Sequence, residues 1–197
     1  MRNFFLFFFF SFVIFSCGSY SEKNSYSSEK IDGNLVVKGS SNNLMWYKDD
    51  VEDITTAIQS VTFDDAKKYC ENLNYAGFKD WRLPTIDELR TIVDDYSDIE
   101  TNGRCQVSES CSELSCLRKG AKNESDNVCG SLSDKEHQCF WDKVWGSKYC
   151  GEFWSSTKVK VVDGTKMNWL LDFSAPSIFY KMTSGQERAY VRCVRKY

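Results

Sequence analysis

The chain has 197 residues, a formal net charge of −3 and an aromatic share of 15%. That length is enough for one domain with a proper core and short for two, and the charge excludes general nucleic-acid binding, which needs a basic surface. With a single histidine, His137, no Ser-His-Asp or Cys-His arrangement is apparent.

The first element is not part of the fold. Arg2 precedes the apolar run FFLFFFFSFVIF at 4–15 and then Ser16-Cys17-Gly18. As a helix that run reaches roughly 18 Å, against about 30 Å of bilayer hydrocarbon, so residues 1–16 read as a secretory signal rather than a membrane span. Ile14, Ser16 and Cys17 resemble a bacterial lipobox, in which the cysteine becomes the lipid-bearing first residue of the mature chain. Phe15 departs from that pattern. The resemblance implies a lipid-anchored protein of the bacterial cell envelope, periplasmic or surface-exposed, that meets the bilayer through Cys17 alone. Residues 17–33, Ser-rich and polar over GSYSEKNSYSSEK (18–30), read as a tether.

The globular pattern covers 34–197. LVV (35–37) and LMWY (44–47) read as short strands. TFDDAKKYCENLNY (62–75) reads as a helix capped by Thr62, with Asp65 in the capping-box position and Ala66, Tyr69, Cys70 and Leu73 on one apolar face. In DWRLPTIDELRTIV (80–93), Trp81 and Leu83 alternate with Arg82 as a short strand. Pro84 keeps the chain extended, and Thr85 with Glu88 forms a capping box opening a second helix whose buried face is Ile86, Leu89, Ile92 and Val93.

Residues 97–151 carry six cysteines amid Ser, Lys, Glu and Asn, a composition expected of a disulfide-stapled insertion with little core of its own. Strands return at 152–157, 167–174, 178–182 and 188–197, with turns marked by Gly164, Pro176 and Gly185. Two helices packed on a mostly antiparallel sheet make the fold class α+β.

Setting Cys17 aside leaves eight of the nine cysteines: 70, 105, 111, 116, 129, 139, 150 and 193. An even set in an exported chain implies up to four disulfides, and eight cysteines admit on the order of a hundred pairings. The insertion lacks a C-x-x-C, so disulfides are preferred there over zinc.

Taken in order, LMWYKDD, DDAKKYCENLNYAGFKDWRLPTIDELRTIVDDYS, FWSST, WLLDFS and YVRCVR resemble the landmarks of the Lcl C-terminal domain family, over about 44–97 and 152–195. The family in turn resembles a distant branch of the C-type-lectin-like fold shared with formylglycine-generating enzymes. That arrangement implies a disulfide between Cys70 in the first helix and Cys193 in the last strand, leaving Cys105, Cys111, Cys116, Cys129, Cys139 and Cys150 to pair among themselves. The resemblance to the oxidases stops at their reactive cysteine pair, since Trp145 stands where a partner for Cys150 would be sought.

Among candidate sites, Arg82 reads as a brace, its planar fork of donors satisfying carbonyls or a carboxylate such as Asp80, Asp87 or Asp94. Trp81, Arg82, Pro84, Thr85 and Glu88 are therefore expected to be structural. The acidic runs Asp49-Asp50-Glu52-Asp53 and Asp94-Asp95-Asp98 lack the spacing of a calcium loop and read as solvated loops. Trp141, Trp145 and Tyr149 either plug a small core between disulfides or form a stacking platform for a sugar ring or peptide. Arg188, Arg192, Arg195 and Lys196 could touch anionic glycans, although Arg192 and Arg195 fall on opposite faces of one strand. The expectation is a non-catalytic binding or adhesion module for glycan or protein ligands, with no cofactor, no metal and no nucleic-acid partner. A structural envelope component and an oxidase of the formylglycine-generating type are the alternatives.

Overall fold

A computed structural model describes residues 24–48, 60–94, 96–120, 128–130, 139–146 and 150–197. The signal segment, Cys17, the acidic run at 49–53, Asp95, His137 and Tyr149 lie outside the described residues. The architecture is α+β, with three helices and two antiparallel four-stranded sheets among the described residues.

The first sheet has the order β1-β2-β3-β8, from β1 (Tyr26–Ile31), β2 (Asn34–Gly39), β3 (Leu44–Tyr47) and β8 (Val194–Lys196). The second has the order β4-β7-β6-β5, from β4 (Cys129–Gly130), β5 (Glu152–Lys158), β6 (Met167–Asp172) and β7 (Ser177–Met182). Over Tyr26–Ile31, β1 replaces the tether expected at residues 17–33. Asp32 and Gly33 both take positive φ, 48° and 79°, the tight turn that an Asp-Gly pair favours. They fold Tyr26–Ile31 back on β2 with Ser28 opposite Val37. The polar composition that resembled a tether belongs to an edge strand, where exposed Ser and charged residues are ordinary.

α1 (Phe63–Asn72) starts at Thr62, whose Oγ1 accepts from Asp65 N, and it buries Ala66 and Cys70. α2 (Ile86–Arg90) is shorter than the apolar pattern implies, because Thr91 closes it with a turn and Ile92 and Val93 are buried from the connecting segment. Its capping box between Thr85 and Glu88 is complete. Trp81 and Leu83 are buried, but the strand expected around them is reduced to one bridge, Arg82 with Val194. The last strand is likewise confined to 194–196, with Ala189 and Tyr190 making isolated bridges to Val61 and Phe153. Cys70 is bonded to Cys193, which ties the first helix to the last strand. In the chain-entropy picture a loop of that length is worth about 5 kcal/mol.

The insertion is not a lobe apart. Its cysteines pair as Cys105–Cys129, Cys111–Cys116 and Cys139–Cys150, it contains α3 (Leu114–Gly120), and β4 pairs with β7. Ile99, Val107, Leu117, Trp141 and Trp145 belong to the same apolar cluster as Trp46, Ile86, Leu89 and Trp169. The segment lacks a core of its own because it completes the core of the domain. No helix among the described residues is long and apolar enough to cross a membrane.

Candidate functional site

The Pro84 corner is occupied by its own bonds. Arg82 donates from Nη1 and Nη2 to the two carboxylate oxygens of Glu88, at 2.7 and 2.6 Å, and also to Leu83 O. The brace is therefore Glu88, the capping residue, rather than Asp80, Asp87 or Asp94. Glu88 also accepts from Thr85 N, so one carboxylate serves the helix start and the arginine together. Pro84 O accepts from Ser156 N at 2.7 Å and Ile86 N donates to Thr157 Oγ1 at 2.9 Å, locking the corner onto β5. Asp80 instead takes Arg195, whose guanidinium also lies 3.8 Å from the Phe78 ring centroid.

Arg90 is a second brace. It is 3% exposed and donates from Nε to Ile99 O, from Nη1 to Val107 O, and from Nη2 to Glu100 O and Cys105 O, at 2.6–2.9 Å. One side chain from α2 thus holds the entry of the insertion by four main-chain carbonyls. Burial lowers its pKa, and the carbonyl dipoles replace the lost hydration. Sequence reasoning passed over this residue, although Ile86, Leu89, Arg90 and Val93 fall at i, i+3, i+4 and i+7 and so place Arg90 on the buried face.

The tryptophans of the insertion are not an exposed platform. Trp141 and Trp145 are each 6% exposed, and their ring faces are already taken. The Cys139–Cys150 bridge closes the loop that carries them, and Phe140 N donates to Phe173 O while Asp94 N donates to Phe140 O. Within the loop Asp142 Oδ1 caps a 3-10 turn (Lys143–Trp145) by accepting from Val144 N. Gly146, at φ 81°, then reverses the chain so that its carbonyl accepts from Trp141 Nε1 at 2.7 Å. Trp141 packs on Phe153 and Phe173; Trp145 meets Tyr26 at 5.1 Å and Trp46 at 5.7 Å, edge to face.

What these rings enclose is Arg192. Its guanidinium carbon lies 4.8 Å from the Trp141 ring centroid, 4.7 Å from Trp145 and 5.3 Å from Phe153. The side chain makes no hydrogen bond or ion pair among the described residues, and its Nε is buried without an acceptor. Although the surrounding atoms are dense enough to push its pKa down to about 10, through desolvation alone, the residue keeps part of its surface open. The accessible surface decides what can reach it: Nε is closed, and the outer edge is the Nη pair.

A surface groove of about 260 Å³ is lined by Asn24, Ser25, Tyr26, Thr91, Ile92, Val93, Asp94 and Asp142. Tyr26 OH donates to Thr91 Oγ1 at 2.7 Å, and Thr91 Oγ1 donates on to Glu88 O at 2.6 Å; burial raises the Tyr26 pKa. Asn24 Oδ1 accepts from Ser41 N and Ser41 Oγ, while its Nδ2 is buried without a partner. Among the described residues the buried side-chain polar atoms lacking a partner are Asn24 Nδ2, Trp46 Nε1, Trp145 Nε1 and Arg192 Nε. All four are donors, and all belong to residues gathered around Tyr26 and Trp145. Such atoms are rare in a folded domain, and here they make one region short of acceptors. No three His, Cys, Asp or Glu side chains among the described residues stand together as a metal site.

The model of the Lcl C-terminal domain family matches residues 35–195 and so runs through the insertion as well as its flanks. No curated protein and no solved structure matches the chain.

Proposed function

From its place in the Lcl C-terminal domain family, to which the chain belongs, we propose that it acts as a non-catalytic, lipid-anchored binding module of the bacterial envelope whose ligand is a glycan. The observation that carries this reading is the surface groove of about 260 Å³ lined by Tyr26, Thr91, Asp94 and Asp142. A glycan brings dense hydroxyl groups, which donate to carboxylates such as Asp142. Asp142 uses only Oδ1 within the described residues.

Cys150 is bonded to Cys139, and a bridged sulfur is not a thiolate nucleophile; this supports binding over oxidase chemistry. Anchoring rests on Cys17 following the apolar run at 4–15. Metabolic labelling with palmitate should mark the wild type and fail for Cys17→Ser.

The ligand reading is tested on a glycan array, with and without EDTA. Retention of one glycan class is expected in both conditions, weakened about tenfold by Asp142→Ala through loss of one hydrogen bond to the sugar. Silence across the array, with co-purification of an envelope protein instead, would overturn the glycan assignment.

A further inference from the structure

We propose that Arg192 anchors a carboxylate group of this domain's ligand, received end-on by Nη1 and Nη2 in the slot between Trp141 and Trp145. The inference rests on the binding-module reading above and adds to it a charged contact separate from the groove.

The first ground is a comparison within the molecule. Arg82 is paired with Glu88, Arg104 with Asp98 and Arg195 with Asp80. Arg90 holds four carbonyls, and Arg188 donates to Ser60 O. Among the described residues Arg192 stands with neither carboxylate nor carbonyl. A guanidinium withdrawn from water without a counter-charge is held at a cost, which aromatic faces offset only in part. The pKa lowered to about 10 by burial is the same fact seen from the proton side.

The second ground is shape. Indole and phenyl rings lie 4.7–5.3 Å from the guanidinium carbon, and Nε is sealed, so a partner meets the fork through Nη1 and Nη2. A carboxylate is flat and matches two parallel N–H donors. A sulfate or phosphate is tetrahedral and matches that flat fork less closely. The slot is also held ready before any ligand arrives. Cys193, the next residue, is bonded to Cys70, and the loop bearing both tryptophans is closed by Cys139–Cys150. Little ordering is left for binding to offset.

On the glycan reading the carboxylate is that of a sugar acid, and a protein C-terminus is the alternative that the probes separate. The purified full chain is titrated at constant ionic strength with glucuronate, N-acetylalanine, glucose and methyl sulfate, following tryptophan fluorescence. A saturable response to glucuronate is expected, with none to glucose and weaker ones to N-acetylalanine and methyl sulfate; tighter binding of N-acetylalanine would overturn the sugar-acid assignment. Arg192→Lys, which keeps the charge and loses the fork, should weaken carboxylate binding at least about tenfold, while Arg195→Lys, engaged with Asp80, should leave it unchanged.

A flat wild-type titration with both carboxylates overturns the inference whether or not the variants fold. So does methyl sulfate binding as tightly as a carboxylate, or an equal loss in the two lysine variants. If the carboxylates are silent while neutral glycans still bind through Asp142, the Arg192 assignment falls alone. If neutral glycans are silent as well, the binding-module reading falls with it.

Discussion

Two enclosed arginines, Arg90 beneath the insertion and Arg192 behind its tryptophan loop, face the same problem and meet it in different ways. Arg90 exchanges water for four main-chain carbonyls, so its charge is compensated by dipoles that the fold itself supplies. Arg192 exchanges water for three aromatic rings, which attract a cation without accepting a hydrogen bond. The difference teaches where in this domain to look for function. A satisfied buried charge organises the chain, whereas an unsatisfied one that still reaches the surface marks a contact left open.

The largest effect expected from this contrast belongs to Arg90→Met. Four carbonyls lose their donor at once, and the entry of the insertion at 99–107 loses its anchor. Unfolding by denaturant should show a loss of about 3–5 kcal/mol, with faster amide exchange concentrated in 99–107. Glu88→Gln comes next, because it weakens both the cap on Thr85 N and the fork from Arg82. A loss of about 1–2 kcal/mol is expected by the same measurement.

Arg192→Met should move stability by less than about 1 kcal/mol in either direction, since a thioether keeps contact with the rings and removes an unpaired charge. A loss as large as that of Arg90→Met would erase the distinction between the two residues. The smallest effect is Asp80→Asn. Arg195 holds the Asp80 carboxyl below its usual value, chiefly by hydrogen bonding, so the pair stabilises the fold above the ordinary carboxylate range. That contribution is lost as pH falls through the lowered value. With Asp80 62% exposed, solvent screening limits it to under about 0.5 kcal/mol at neutral pH. The mutant and wild-type melting temperatures should therefore converge in acid.

Much of the frame was legible in the residues. The two helix starts at Thr62 and Thr85 carry their caps in sequence, and alternation gave most of the strands, because those features depend on neighbours a few positions apart. The Cys70–Cys193 pairing came from the family resemblance, since cysteine arithmetic leaves the pairings open. The edge strand β1 was missed through its polar composition, although Asp32-Gly33 is a hairpin signal. Arg90 was legible on the helical face and was overlooked because a charge on an apolar stripe looks like an interruption.

The candidate site was less accessible to reading for a physical reason. The tryptophans of the loop looked available because the insertion seemed to have no core to join, and only the folded chain brings Trp141, Trp145 and Phe153 around Arg192. Nothing local to Arg192 announces that its carboxylate is missing. Pairing across long separations, as in Arg195 with Asp80, is decided by tertiary placement alone.

The most direct test follows the side-chain Nε–H resonances of Arg90 and Arg192 in one nitrogen-15-labelled sample while glucuronate or N-acetylalanine is added. The account predicts that Arg192 shifts in a saturable way and that Arg90, its donors already engaged, stays where it is. A stationary Arg192 signal, or the two arginines moving together, would contradict it.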